Sequence, residues 1–400
     1  MGLASRNGRR IGRIVTTLAI GWLAVLTPCE AAEYLIADQA SDRIVAVDAT
    51  SGAYTRTLWS AGAHVQPSAL SFGPNGDLFI VNRLSGDVLR IAQANLGGSF
   101  VTANPFVAGI AFPGSITYHQ PSQSLLVGEF GRYPGGPLGD NIFVYNSAAV
   151  LQATLTLPEV GIAGLAFDGA GNLYASGFYT DEFASGRIYK FGGPPAWTPQ
   201  GPFAPDPYPM AELQGAAGIA FNSAGDMYVA GLITFNAGNV VKFSIDQGQV
   251  VGQQQLGEGL PFPSGLLMLP EGHLLATSLG FGLTSGAVYR LNPENGARSV
   301  LLKGDFNQDG VVSAADLTKW RSAIEVDATA DADFDGDSDG DDFLAWQRGL
   351  GNQGPPGLFS PSSVVLYDPS TAVSVPEPAM GFLATCASAV LATLRKRCRG

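Results

Sequence analysis

The sequence predicts a mainly β protein: a six-bladed β-propeller followed by a small α-helical module with two calcium loops and a C-terminal hydrophobic helix. Three observations carry this expectation: a segment that recurs along most of the chain, a composition of strand and turn formers, and one stretch with Asp at every other position. The 400 residues include 52 Gly and 26 Pro, well above the usual combined share of ~12%. The 22 Phe and 12 Tyr favour strands over helices, so a helical bundle is excluded. With 46% apolar and 14% charged residues the chain has material for a packed core. The formal charge is −12, but the Asp305 to Asp342 stretch holds eleven Asp and Glu325 against Lys319 and Arg321. The rest is close to neutral, and nucleic acid is excluded as a partner because no basic surplus exists.

Five copies of one pattern start at Ala69, Ser115, Gly164, Gly218 and Gly265, spaced 46, 49, 54 and 47 residues apart. The copy at Gly164 reads GLAFDGAGNLYASGFYTDEFASGRIYKFG and that at Gly218 reads GIAFNSAGDMYVAGLITFNAGNVVKFS. Each has three short apolar strands divided by Gly, Asn and Asp turns, followed by a fourth. A sixth copy, from Tyr34 to Leu58, lacks its first strand. Four-stranded units at this period make propeller blades rather than a β-sandwich, which has no need of in-phase copies. Small residues such as Gly164 and Ala166 let inner strands crowd the axis, and Leu165 and Phe167 pack between sheets. The incomplete first copy predicts a first blade of three strands, closed by packing alone and opening before the central blades.

The pattern from Gly164 resembles NHL-repeat and gluconolactonase-like propellers over roughly 270 residues. Gluconolactonase-type enzymes hold an axial divalent metal with Asn and Asp just before the Gly of innermost strands. Here those positions are Ser68, Gly114, Ala163, Ala217 and Ser264, so the resemblance implies the fold and not the activity. Of the three histidines, His64, His119 and His273, the last two fall in turn or strand-entry positions that do not recur with a partner from copy to copy, and no catalytic residue is assigned. Polar residues recur where second strands end: Asp38, Asn82, Arg83, Glu129, Arg132, Tyr179, Asp181 and Ser278. Strand ends and loops form one rim of a propeller, and this rim is the candidate binding face.

In the acidic stretch, Asp305, Asn307, Asp309, Gly310, Ser313 and Asp316 occupy positions 1, 3, 5, 6, 9 and 12 of an EF-hand-type loop, with the Val311 carbonyl at position 7. A second loop could begin at Asp331 or Asp333. The frame from Asp331 places Asp333, Asp335, Gly336, Asp337, Asp339 and Asp342 at 3, 5, 6, 7, 9 and 12, and Trp346 then follows its loop start as Trp320 follows Asp305. Asp at position 12 in place of Glu, and one helix after each loop, resemble a type I dockerin over about 48 residues. The expected cofactor is Ca²⁺, two ions, because crowded carboxylates need a hard cation. Dockerins dock on cohesin modules, often through loop positions 10 and 11. Ala314-Ala315 and Gly340-Asp341 are not a matched pair there, so a cohesin-like partner is left open beside an exopolysaccharide.

At the N-terminus, Arg6, Arg9, Arg10 and Arg13 precede the apolar run Ile14 to Leu26 and Pro28-Cys29-Glu30-Ala31, a secretory signal. Arg9-Arg10 also fits a twin-arginine signal, whereas Pro28 argues against lipidation of Cys29. Cys29, Cys386 and Cys398 lie in terminal segments, so the exported domain has no disulfide. At the other end, Pro376-Glu377-Pro378, an apolar run from Ala379 to Leu394, and Arg395-Lys396-Arg397 resemble the PEP-CTERM sorting signal. The resemblance implies export in a Gram-negative bacterium that makes exopolysaccharide, cleavage by an exosortase, and membrane contact only through this helix. The expected division is 1–31 signal, 33–303 propeller, 304–351 dockerin, 352–375 extended linker and 376–400 sorting signal. The expected function is that of an exported cell-surface or matrix binding protein. The alternative is a hydrolase acting on a polysaccharide or lactone, which needs an acid/base pair or an axial metal cluster that the sequence does not display.

Overall fold

The computed structural model describes residues 31–370, apart from 63, 132–138, 158–159, 180–185, 195–198, 203–214, 235–236, 247–248, 281–285 and 334. The signal and sorting segments therefore lie outside the described residues, as do Arg132 and Asp181 of the rim. Among the described residues no helix is long and apolar enough to cross a membrane.

Six antiparallel sheets of four strands form a six-bladed β-propeller. The innermost strands are Pro361–Tyr367, Pro67–Phe72, Pro113–His119, Val160–Phe167, Gly215–Phe221 and Pro263–Met268, in blades 1 to 6. Side chains alternate along each strand and bury both faces of each blade. In blade 1, Tyr34, Ile36, Val45 and Val47 meet Leu275 and Val288 of blade 6. Their neighbours Leu35, Ala37, Ile44 and Ala46 meet Leu70, Leu78 and Ile80 of blade 2. The core is thus a series of apolar layers between blades, and Leu165 with Phe167 belongs to the layer between blades 3 and 4. Near the axis, a Cβ on Gly164 or Gly218 would run into the carbonyl of Ala217 or Ser264 on the next blade, so only Gly permits that approach.

The expected closure is overturned. Blade 1 has four strands, in the order Pro361–Tyr367, Glu33–Asp38, Arg43–Asp48 and Tyr54–Ser60. The first of these comes from the segment read as an extended linker, and it pairs with Glu33–Asp38 from Glu33 opposite Tyr367 to Asp38 opposite Pro361. The first and last described strands therefore share one hydrogen-bonded sheet. The physical reason is that Val364-Val365-Leu366-Tyr367 supplies side chains to both adjoining layers: Val364 faces blade 6, and Val365 and Tyr367 face blade 2. Pro361 is tolerated because it stands at the first position of its strand.

The acidic stretch is consequently inserted within the propeller, between the last strand of blade 6 (Arg298–Val300) and the closing strand. It holds α1 (Ala314–Ala323) and α2 (Gly340–Gly349), each preceded by a loop and with no entering helix. Leu302, Phe306, Val312 and Trp346 form its own small core, against which Ala53 of blade 1 also packs. On leaving it, the chain binds back on the first loop: Gly351 N–H donates to the Val312 carbonyl (2.9 Å), Val312 N–H to Asn352 (3.0 Å) and Gly354 N–H to Gly310 (3.0 Å).

Candidate functional site

Four inner strands begin in the same way. Gln66-Pro67, Phe112-Pro113, Phe262-Pro263 and Ser360-Pro361 each place a proline opposite the end of the second strand, at Asn82, Glu129, Ser278 and Asp38. Gln66, Phe112 and Phe262 are held at left-handed φ of 56°, 47° and 48°, a conformation that costs a bulky residue of order 1 kcal/mol or more. The carbonyl before each proline accepts from the residue just past the second strand: Arg83 to Gln66 (2.9 Å), Phe130 to Phe112 (2.9 Å), Leu279 to Phe262 (3.1 Å) and Gln39 to Ser360 (2.9 Å). All eight residues line one axial funnel of ≈ 730 Å³. Its mouth is a ring of hydrogen-bonded backbone built four times over.

Immediately below, each inner strand carries a bulge, and the bulged residues include Ser68, Gly114, Ala163 and Ser362. A bulge turns a side chain out of the ladder. Ser362 Oγ donates to the Pro67 carbonyl (2.9 Å), Ser68 Oγ to Pro113 (3.1 Å) and Ser264 Oγ to Ser362 (3.2 Å). Ser115 Oγ reaches the Ile162 carbonyl (3.4 Å), and Ser176 bonds the Ala217 carbonyl. Of the positions expected for axial metal ligands, Ser68 and Ser264 carry hydroxyls turned to a neighbouring blade and Gly114, Ala163 and Ala217 carry none; with Ser115, Ser176 and Ser362, these hydroxyls tie five of the six pairs of neighbouring blades.

Of the rim residues expected from sequence, Asp38, Asn82, Glu129, Tyr179 and Ser278 occupy equivalent ends of second strands. Asp38 pairs with Arg43 (3.1 Å) and accepts from the Ser360 N–H (3.0 Å). Glu129 accepts from Asn141 (2.8 Å), and Ser278 Oγ donates to the Pro261 carbonyl. These three fasten the rim, and among the described residues of the expected group Arg83 alone lines the funnel. Its guanidinium lies over the Phe130 ring, 4.7 Å from the centroid. Phe130 in turn meets Phe178 edge-on (5.5 Å, 83°). The aromatic lining, Phe72, Phe112, Phe130, Phe178, Phe262 and Phe359, was missed by sequence reasoning; the repeated residue-Pro entry was a signal for Phe112 and Phe262 alone. Among the described lining residues Arg83 is the one titratable side chain.

The acidic loops form a second candidate site. Gly310 (φ 86°) and Gly336 (φ 106°) make the sharp turns at position 6, where a left-handed backbone favours Gly. Asp305 accepts from Asp309 N–H (3.1 Å) and Gly310 N–H (2.9 Å), and Asp331 from Gly336 N–H (3.1 Å). Asp316 spans its loop from Asn307 N–H (3.0 Å) to Ser313 N–H (2.7 Å); Asp342 spans its own from Ala332 N–H to Asp339 N–H (both 2.6 Å). Ser313 and Asp339 cap α1 and α2 in capping boxes with Asp316 and Asp342. Oxygens of Asp331, Asp333 and Asp335 lie within 4.8 Å of one another, as do those of Asp335, Asp337 and Asp339. Burial holds the Asp305, Asp333 and Asp342 carboxyls above the usual carboxylate range, and the neighbouring Asp335 charge does the same for Asp337. Donors that are all oxygen, crowded and part-buried fit a hard divalent cation.

No protein-family model and no curated protein matches the sequence. Among solved structures, the chain is similar to the PQQ-bound aldose sugar dehydrogenase of Streptomyces coelicolor, at 16% identity and TM-score 0.49 over 64% of this chain and 90% of that one. It is also similar to virginiamycin B lyase of Staphylococcus aureus, at 13% identity and TM-score 0.45 over 66% and 78%. A putative 6-phosphogluconolactonase of Bacteroides uniformis gives 19% identity and TM-score 0.43 over 67% and 81%.

Proposed function

We propose that the protein is an exported β-propeller binding protein of the cell surface or extracellular matrix, carrying a dockerin-type module loaded with two Ca²⁺ and a PEP-CTERM tail for an exosortase. The observation that carries the binding reading is the funnel: an aromatic-rimmed cavity whose described lining offers one cation and no carboxylate. Hydrolysis of a glycosidic bond takes a pair of carboxyl groups, and a lactone hydrolase of this shape takes an axial metal; ligand capture takes neither. The first ion would be held by Asp305, Asn307, Asp309, the Val311 carbonyl, Ser313 and Asp316. The second would be held by Asp331, Asp333, Asp335, the Asp337 carbonyl, Asp339 and Asp342. When bound, Ca²⁺ supplies positive charge that offsets the mutual repulsion of these carboxylates. A glycan array with the purified chain lacking its first 31 residues tests the reading, paired with calorimetric titration of Ca²⁺. Retention of a glycan without its cleavage, and two ions per chain, are the expected results. Turnover of a retained glycan overturns the binding reading, and a flat calcium titration overturns the module's.

A further inference from the structure

Among the described residues no carboxylate forms an ion pair with Arg83. Its side chain is half-buried, and its Nε is wholly buried with no hydrogen-bond partner. The rim carboxylates Asp38 and Glu129 are turned to Arg43 and Asn141. Its backbone is fixed by the Gln66 carbonyl (2.9 Å) and its guanidinium by the face of Phe130. A buried donor with no partner calls for a water, an ion or a ligand to meet the group that carries it.

We propose that the mouth of the funnel is a binding site for an organic carboxylate with an apolar body, the carboxylate received by Arg83 and the body by the surrounding phenylalanines. The inference rests on the binding reading above and names the ligand class. Nη1 and Nη2, unlike the buried Nε, are not shut off from the funnel, and they form a planar pair of donors, the geometry that a carboxylate meets with both oxygens. A phosphate carries about −1.5 to −2 charges at neutral pH, and one guanidinium would leave part of that charge buried and uncompensated. Phe112, Phe178 and Phe262 offer aromatic surface for an apolar body, and the other polar groups of the described lining, such as Gln39, Gln66 and Ser360, are neutral. Burial also lowers the Arg83 pKa to about 10, consistent with a cation that gains from an arriving anion.

The test is calorimetric titration of the purified chain with 2-naphthoate, with its neutral amide and with inorganic phosphate. The acid is expected to bind one per chain and at least 10-fold more tightly than the amide or phosphate. Arg83→Gln should lose at least 10-fold for the acid and leave the amide unchanged. If that variant fails to fold, the Arg83 Nε–H resonance of the wild-type chain is followed during the naphthoate titration, where a saturable shift supports the site and a static signal overturns it. Equal binding of acid and amide, phosphate binding as tightly as the acid, or an Arg83→Gln variant that binds naphthoate normally overturns the inference. A chain that ignores naphthoate but retains a glycan on the array loses this inference and keeps the binding reading; a chain blank in both loses both.

Discussion

The indole Nε1 of Trp346 donates to the carbonyl oxygen of Ser313 at 2.7 Å. Trp320 makes the reciprocal bond to Asp339 at 2.8 Å. Ser313 and Asp339 cap the two helices, so each helix carries a tryptophan that clasps the other helix's start. Phe343 stands between the two indoles, with centroids 5.1 and 5.4 Å away. The loops are therefore held as a pair, and ordering one helps to order the other. Trp346→Phe keeps the ring in the small core but leaves the Ser313 carbonyl unmet. The expected loss is about 1 kcal/mol of module stability, read as a lower denaturant midpoint of the Trp320 fluorescence change at fixed calcium. An unchanged midpoint would show that the clasp contributes nothing.

The closing strand yields a second prediction. Termination after Phe359 removes buried Val364 and Tyr367, the six pairings to Glu33–Asp38 and the Ser362 bond to Pro67. Each large side chain contributes roughly 1.5–3 kcal/mol through burial, so the expected loss exceeds ~3 kcal/mol, or about 10 °C in thermal midpoint. The bared edge of Glu33–Asp38 should also drive self-association, visible as early elution on size exclusion. Ser362→Ala alone should cost about 1 kcal/mol. A truncated chain that melts like the wild type would mean the ring closes without the strand.

Both features bear on what could be read in advance. Blades 2 to 6 were legible because five copies share one phase, and period-two alternation reports burial on both faces directly. The closing strand was not, because the acidic stretch separates it from its blade and because Pro361 and its serines read as linker composition. Yet Ser360-Pro361-Ser362-Ser363 parallels Gln66-Pro67-Ser68-Ala69, Phe112-Pro113-Gly114-Ser115 and Phe262-Pro263-Ser264-Gly265. Counting that entry as part of the repeat supplies the missing strand. Arg83 was legible as a rim residue. Its stacking on Phe130 was not, since that contact joins neighbouring blades and depends on their relative placement rather than on spacing along the chain.

A third prediction concerns pH. His119 is buried, its Nδ1 lies 2.7 Å from Ser122 Oγ, and its ring lies 4.6 Å from that of Phe167 on the next blade. Desolvation by burial lowers its pKa, and burial, helped by the Arg290 charge, lowers that of His273. The unfolded chain takes up these protons near pH ~6.5 while the folded chain resists. The neutral imidazoles therefore contribute stability that is present above that pH and lost as pH falls through it toward the lowered folded values. The thermal midpoint should drop between pH 7.5 and 5.5, and His119→Gln should flatten part of that drop. A variant with the full wild-type slope would remove His119 from the account.

The last prediction links the acidic module to the ring. The closing strand is reached only through that module, and the segment leading to it is bonded to the first loop: Gly354 N–H meets the Gly310 carbonyl, and Val311 bridges to Gln353. On the other side, Tyr54 N–H of blade 1 donates to the Gln353 carbonyl (2.8 Å), and Lys303 N–H to Ser51 (2.9 Å). Gly310 sits at the turn whose carboxylates would hold the first ion. Removing that ion should loosen the Gly310 turn, free Gln353 and Gly354 from it, and raise the entropy of the tether that delivers Pro361–Tyr367 to its sheet. Chelator should then speed amide exchange across Glu33–Asp38 and Pro361–Tyr367 while leaving Met227–Thr234 of blade 5 unchanged, because local opening follows the weakest cooperative unit. Asp305→Asn with Asp316→Asn should place the chain in the fast-exchanging state with or without chelator. Equal exchange at the closing strand in calcium and in chelator would show that ring and module are energetically independent despite their shared backbone.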